Sequence, residues 1–226
     1  WCGPCRYMSA KIFPQAEVGD YFNAHFISVK VQLDTTEADN AEVKSWYKSG
    51  SDLAKQYGVR VYPTYLFFDA AGNALHRSVG SSEADAFLEK GKDAADPSKQ
   101  YYPMLAKYKK GEREPAFMLQ LARSSRECYD MENMDAITTA YLDAQKDLVT
   151  PENIQFLYDF TEHTTDRGFD VMQKNEAAFD KIVGAGNTRQ KVAEIIRYDA
   201  IYPVLMNENG VPSDWTVIAA DVKSKY

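Results

Sequence analysis

Two cysteines stand two residues apart in Trp1-Cys2-Gly3-Pro4-Cys5, and no other stretch of the chain restricts the local backbone as tightly. Pro4 suits the first turn of a helix, where its missing N–H costs no hydrogen bond and its fixed φ is already helical. A helix starting here leaves Cys2 at its N-terminus, where unpaired N–H groups and the macrodipole favour a thiolate. Cys5, about one turn further on, comes within disulfide range of Cys2 but deeper in the helix. Cys2 is thus the expected nucleophile and Cys5 the expected resolving thiol, with Gly3 keeping the approach uncrowded. A static disulfide or half of a zinc site would use the same spacing. A four-cysteine zinc site needs a second pair, and the chain offers only Cys128; His25, His76 and His163 form no closely spaced pair. The spacing rules favour a redox pair that needs no metal or organic cofactor.

Downstream the chain reads Tyr57-Gly58-Val59-Arg60-Val61-Tyr62-Pro63-Thr64, then the apolar run Tyr65-Leu66-Phe67-Phe68 and the turn Gly72-Asn73. Together with the Cys-Gly-Pro-Cys segment, and in this order, these motifs resemble the thioredoxin superfamily. The resemblance implies that Tyr62-Pro63 is a cis peptide, and that Trp1, Gly3, Pro4, Tyr62, Pro63, Thr64 and Gly80 line a groove for an extended substrate segment. It implies an activity as well, thiol–disulfide exchange with protein disulfides as substrates and an upstream thiol as electron donor. The Gly-Pro spacer is that of thioredoxin, itself the standard example of a reducing couple, which favours reduction over oxidation. The stretch after Cys5, a helix broken at Pro14, a second short helix and then a strand, looks like the thioredoxin-like proteins related to the C-terminal reductase domain of DsbD. Those are bacterial envelope proteins, so the resemblance implies a periplasmic setting.

Periodicity places the remaining elements. Phe26 to Leu33 alternates and predicts a strand. Asp34 to Gly50 is an insertion relative to small thioredoxins, read as a short helix and solvated loop carrying Trp46 and Tyr47. Ser51 or Asp52 is expected to cap a helix ending at Gly58. Thr64 to Phe68 reads as a strand buried on both faces, with Leu75 to Val79 as its hairpin partner. Ser82 opens the closing helix. The family's βαβ segment ahead of the cysteine helix is not in the sequence, which reads as an N-terminally incomplete thioredoxin-like α/β fold, a fragment of a longer polypeptide.

Beyond a polar linker at Gly91 to Pro97, strand signals give way to helical spacing. The expected division is therefore a thioredoxin-like domain over 1–92 and an all-α domain over 98–226. Residues 98–110 predict a helix stopped near Gly111. Pro115 opens the next, with Phe117, Leu121 and Cys128 on one face and Cys128 as a buried thiol. Met134, Ile137, Tyr141, Ala144 and Leu148 form another stripe. Thr150-Pro151 starts a helix lined by Ile154, Leu157, Tyr158 and Thr161. Phe169, Met172, Phe179 and Val183 share one helix ended by Gly184-Ala185-Gly186. Asn187 or Thr188 caps the next, around Val192, Ile195 and Ile196. Pro203, Gly210 and Pro212 interrupt, and Ser213 caps a last helix through Trp215, Ile218 and Val222. Helix starts at Pro115 and Pro151 lie about 36 residues apart, close to the period of tetratricopeptide-like hairpins, so the array reads as a degenerate helical repeat.

A formal charge of −7 in 226 residues and a pI near 5.1, without a basic stripe, argue against nucleic acid as a partner. No apolar run reaches the ~18 residues of a membrane span. The reading from another class is a non-catalytic adaptor, in which the fold and the helical array bind proteins and the cysteines are incidental.

Overall fold

A computed structural model describes residues 1–205 and 214–225; Gly210, Pro212 and Ser213, read above as a break and a cap, lie outside the described residues. The chain divides into two compact units, Trp1–Ile137 and Thr138–Tyr226.

In the first unit, helix α1 (Gly3–Tyr7) runs into a π-helical turn, Met8–Ile12, closed by the Phe13 N–H on the Met8 carbonyl at 2.9 Å. Pro14 breaks the run as expected, and α2 follows over Ala16–His25. Met8, Ile12 and Val18 are buried with Ala84 and Phe87, and Phe22, Tyr65 and Leu88 pack against them. Phe87 is the hub, its ring stacked on Phe22 at 4.6 Å and lying 5.0 Å from Tyr65 and 5.3 Å from Phe13.

The strand expected over Phe26–Leu33 does not form. The segment is irregular, with Ile27 97% and Val29 79% exposed. Phe26 turns towards Phe22 and Phe67, and among the described residues no strand pairs with the segment, so alternation alone does not make it a ladder. The insertion also differs from expectation. Its helix, α3 (Ala41–Gln56), is one continuous element capped by Asn40, whose Oδ1 accepts from the Val43 N–H at 2.9 Å. It runs straight through Gly50, Ser51 and Asp52, because Gly50 is the buried contact against Val31, Gln32 and Leu33. Ahead of it, the Asp39 carboxylate gathers Tyr47 Oη–H, Thr36 N–H and Gln32 Nε2. Gly58, at φ +55°, follows the helix end as predicted.

Strands β1 (Thr64–Phe68) and β2 (Ala74–Val79) form an antiparallel hairpin, in register from Thr64↔Val79 to Phe67↔His76. Its turn is organised by Asp69, whose carboxylate accepts from the N–H groups of Ala71 and Asn73, with Gly72 at φ +83°. β1 is half-buried, with Phe68 38% exposed, and is not covered on both faces as its apolar run suggested. The described sheet has only these two strands, so one edge of β1 is unpaired. β2 is better covered. α4 (Ala84–Ala95) has Glu83 at its N-cap position, one residue after Ser82, and absorbs five of the seven residues of the expected linker, Gly91 to Ala95. It does so because Gly91 lies against the rings of Tyr21 and Phe22.

Helices α5 (Tyr101–Lys109) and α6 (Pro115–Glu127) complete the cover of β2. α5 starts at Tyr101, not at 98, because the turn before it is held by Asp96, which accepts from Ser98 N–H and Oγ. The Tyr101 N–H donates to His76 Nδ1 at 3.3 Å, its hydroxyl to Asp130 at 2.7 Å. Cys128 Sγ donates to the Arg77 carbonyl at 2.8 Å, while the Arg77 guanidinium binds the carbonyls of Tyr57 and Gly58. The buried stripe of α6 is Met118, Leu121, Ala122 and Ser125, with Phe117 only half-buried at its edge.

Helix α7 (Met131–Ala144) buries Met134, Ile137 and Tyr141 as predicted, but ends at an exposed Ala144 and leaves Leu148 in a turn. That turn closes on Asn153, whose side chain accepts from Tyr141 Oη–H at 2.7 Å and donates to the Asp147 carbonyl at 2.6 Å. In the second unit, α8 (Pro151–Phe160) has the expected Thr150 cap and buries Ile154, Phe156 and Leu157. The single helix expected next is two, α9 (Arg167–Lys174) and α10 (Glu176–Val183), broken at Asn175, whose side chain donates to the Val171 carbonyl. Gly186, at φ +79°, caps α11 (Asn187–Ile196) in place of Asn187 or Thr188, since Asp180 already takes the Gly186 and Thr188 N–H groups. A π-helical turn (Arg197–Ile201) runs without a gap from α11 into α12 (Tyr202–Leu205), so Pro203 lies inside a continuous helical stretch directly after that widened turn and does not end it. α13 covers Trp215–Lys225, with Ile218 buried and Trp215 57% exposed.

A Cβ on Gly91 would lie 2.8 Å from Phe22 Cζ and 2.9 Å from Tyr21 Cε1. Gly91→Val is expected to destabilise the first unit by about 1–3 kcal/mol, as overpacking does. The few tenths of a kcal/mol that a side chain gains over glycine in a helix do not offset this. Urea denaturation checks it, and an unchanged midpoint would contradict the proposed α2–α4 contact.

Candidate active site

The dithiol site grows from the first turn of α1. Cys2 is the N-cap residue, extended at φ −70° and ψ 97°, and its Sγ accepts the Cys5 N–H at 3.1 Å. The sulfur fills the role usually played by a Ser or Asp oxygen. Pro4 lies in the first turn, and the Arg6 N–H closes on the Cys2 carbonyl at 3.1 Å. Cys2 and Cys5 are joined as a disulfide with their Cα atoms 5.3 Å apart. Both are half-buried, and nothing lies within 4 Å of where a Gly3 Cβ would be, so the approach to the sulfurs is open.

Several of the other expected site residues are brought to this helix. Trp1, 72% exposed, packs edge-on against Tyr62 at 5.1 Å. Tyr62-Pro63 is a cis peptide. The Pro63 carbonyl accepts the Gly80 N–H at 2.8 Å, and Thr64 pairs with Val79 while its hydroxyl donates to the Val61 carbonyl at 2.7 Å. Trp1, Tyr62, Pro63, Thr64 and Gly80 therefore form one connected surface beginning next to Cys2.

Three contacts that motif reading missed tie the loop after Gly80 into the site. Ser82 N–H points at Met8 Sδ at 3.4 Å, and Tyr7 Oη–H donates to Glu83 Oε1 at 2.6 Å, holding that hydroxyl's proton more firmly than usual. Lys90 Nζ donates to the carbonyls of Val79 at 2.7 Å and Gly80 at 3.3 Å. A lysine on the inner side of an amphipathic helix was the one available signal. Lys90 lies three residues after Phe87, in phase with that helix's buried face.

Residues 1–95 match the family model described as thioredoxin-like domain, and with this hairpin and dithiol the segment is a thioredoxin-like domain. A curated relative, thioredoxin-2 of Pyricularia oryzae, is 36% identical over 83 residues, which cover 36% of this chain and 37% of that protein. The chain thus spans little more than a third of the length of that relative. No solved structure matches.

Burial pushes the Cys128 thiol far up, so it stays protonated on the Arg77 carbonyl. Burial likewise pushes His76 down to about 4, leaving it a neutral acceptor for Tyr101. No group of three or more His, Cys, Asp or Glu residues among the described residues could hold a metal ion. In the second unit an open cavity of about 630 Å³ is lined by Tyr158, His163, Lys191, Glu194 and Tyr198 among others. There His163 Nδ1 lies 2.9 Å from Asp199, and that hydrogen bond raises its proton affinity. Asp199, although burial pushes its carboxyl up, is held below the usual range by Thr164 N–H and His163.

After reduction, iodoacetamide should label Cys2 and Cys5 in the native chain, and Cys128 only after denaturation, as read by mass spectrometry. Fast native labelling of Cys128 would contradict its burial. Because folding raises the His163 pKa above its unfolded value of 6.5, its pairing with Asp199 stabilises fully below that pH and is lost as pH rises through the folded pKa. Asp199→Asn should return the His163 midpoint, followed by NMR, towards the ordinary value and remove that pH-dependent increment.

Proposed function

We propose that the chain is a thiol–disulfide oxidoreductase that reduces protein disulfides through Cys2 and Cys5. The observation that carries this reading is the dithiol at the N-cap of α1, beside a cis Tyr62-Pro63 on a thioredoxin-like domain. In the reduced state the Cys5 N–H and the helix N-terminus stabilise a Cys2 thiolate. That thiolate attacks one substrate sulfur, forming a Cys2–substrate disulfide and expelling the other substrate sulfur as a thiolate, which takes a proton from water. Cys5, deprotonated, then attacks Cys2 Sγ. This closes the Cys2–Cys5 bond and releases the second substrate thiolate. Two electrons pass to the substrate, and an upstream thiol donor returns the pair to the dithiol. Trp1, Gly3, Pro4, Tyr62, Pro63, Thr64 and Gly80 hold the substrate segment, whose backbone pairs with that of Tyr62.

In this reading the redox domain is 1–92 and the helical domain is 98–226, a degenerate repeat that presents protein substrates or partners. The relation to the DsbD reductase domain, and with it a periplasmic location, rests on the pattern Met8–Pro14, Val18–Asn23 and Phe26–Val31, a broken helix, a short helix and a strand, of which the third part is irregular. No helix among the described residues is long and apolar enough to cross a membrane.

Insulin reduction driven by dithiothreitol tests the assignment. Cys2→Ser should lower turnover by at least about a hundredfold, because the attacking sulfur is gone. Cys5→Ser should still attack and accumulate a mixed disulfide visible by mass. Wild-type turnover no faster than dithiothreitol alone would favour the adaptor reading, in which the fold serves binding only.

A further inference from the structure

We propose that Lys90 is a positioning residue for the dithiol site, holding the Val79–Gly80 backbone at the substrate groove. The inference rests on the reductase reading above and deepens it.

Lys90 sits on α4, half-buried, with Nζ 2.7 Å from the Val79 carbonyl, 3.3 Å from the Gly80 carbonyl and 5.7 Å from the centre of the Tyr65 ring. An ammonium is compact and strongly hydrated, and lysines stay in water unless something inside compensates them. Burial accordingly weakens the hold of Lys90 on its proton, opposed by the Glu127 carboxylate at the end of α6. The compensating partners are backbone carbonyls at the end of β2, where the hairpin ladder has stopped and those oxygens need donors from elsewhere.

Gly80 thereby has both of its backbone polar groups engaged. Its N–H goes to the Pro63 carbonyl at 2.8 Å and its oxygen to Lys90. It has φ +81°, and nothing lies within 4 Å of the place a Cβ would take, so the backbone of Gly80 is open on that side to a ligand's approach. The far end of the same loop is fixed to the cysteine helix by Ser82 on Met8 and by Tyr7 on Glu83. Tyr7 and Met8 hold one end of the loop, Lys90 the other. Removing the ammonium frees the end that lines the groove and leaves the cysteine helix, and with it the sulfur chemistry, unchanged.

The test compares the full wild-type chain with Lys90→Met, which keeps the apolar stem and loses all three donors, and with Lys90→Arg, which restores a cation. For insulin, Lys90→Met should raise KM at least about tenfold with kcat nearly unchanged, since tenfold is the size expected for a single charge-assisted hydrogen bond and Lys90 makes two. Reduction of hydroxyethyl disulfide, too small to use the groove, should be unaffected, and Lys90→Arg should recover most of the insulin KM. Independently of turnover, the Gly80 amide in Lys90→Met should exchange its hydrogen about tenfold faster. If the methionine variant does not fold, Lys90→Gln takes its place, with the same signs and smaller shifts. A parallel loss on both disulfides, an unchanged KM, or a raised KM with unchanged Gly80 exchange each overturns the proposal. A wild-type chain that reduces neither disulfide sinks the reductase reading instead, and Gly80 exchange alone then decides whether Lys90 holds the loop.

Discussion

Burial of Met8 and Ile12 under Phe87 is the contact on which the first unit depends. A helix of five residues cannot persist by itself, since nucleation costs more than so few hydrogen bonds return. The cysteine helix exists because the turn after it delivers two fully buried side chains, Met8 and Ile12, to a cluster shared with Val18, Ala84 and Phe87. The π-helical geometry has a use in this place, because the wider turn seats Met8 and Ile12 in one core while Tyr7 stays outside to reach Glu83. Phe87 then transmits the constraint, stacking on Phe22 of α2 and meeting Tyr65 of β1. Helix, hairpin and closing helix are thus held by one aromatic side chain on α4.

The hairpin needs a second support, because two strands alone are marginal in water. One face meets the Phe87 cluster; β2 is buried from the other direction by α5 and α6. The hydrogen bonds from Tyr101 to His76 and from Cys128 to Arg77 give that cover a fixed register. His76 and Cys128 are both kept neutral by burial, so these two hydrogen bonds add no charge of their own to the join; the buried Arg77 guanidinium there is met by the carbonyls of Tyr57 and Gly58. Residues beyond the family match at 95 therefore help to hold the strand that ends at Val79, next to Gly80.

How much of this could be read beforehand varies with the kind of signal. The cysteine pair, the Tyr62-Pro63-Thr64 hairpin start, the turn at Gly72 and the helix caps at Thr150 and Gly58 are local, set by the φ/ψ demands of one or two residues, and they were legible. The errors are tertiary. Phe26–Leu33 has strand alternation but no neighbour to pair with; Gly50 and Gly91 look like loop residues and are helix contacts, since a missing Cβ serves close approach as well as flexibility. The break at Asn175 is another such case, because the apolar spacing continues across it and only a side chain bonded to the Val171 carbonyl marks the change. Lys90 could not be assigned from its own neighbourhood, since its partners are carbonyls ten or more residues away.

The chemistry of the pair follows from what Pro4 leaves undone. Of the four N–H groups that a helix start leaves unpaired, proline deletes one without loss, and the Arg6 N–H closes on the Cys2 carbonyl. The Cys5 N–H then has the Cys2 sulfur as its partner, where most helices supply a hydroxyl or carboxylate oxygen. A neutral thiol is a poor acceptor for that N–H and a thiolate a good one, so the cap is at its best when Cys2 is ionised. The stability of the first turn and the reactivity of its first sulfur thus rise together. An oxygen at residue 2 would satisfy the helix equally well, so the fold by itself does not call for a sulfur there.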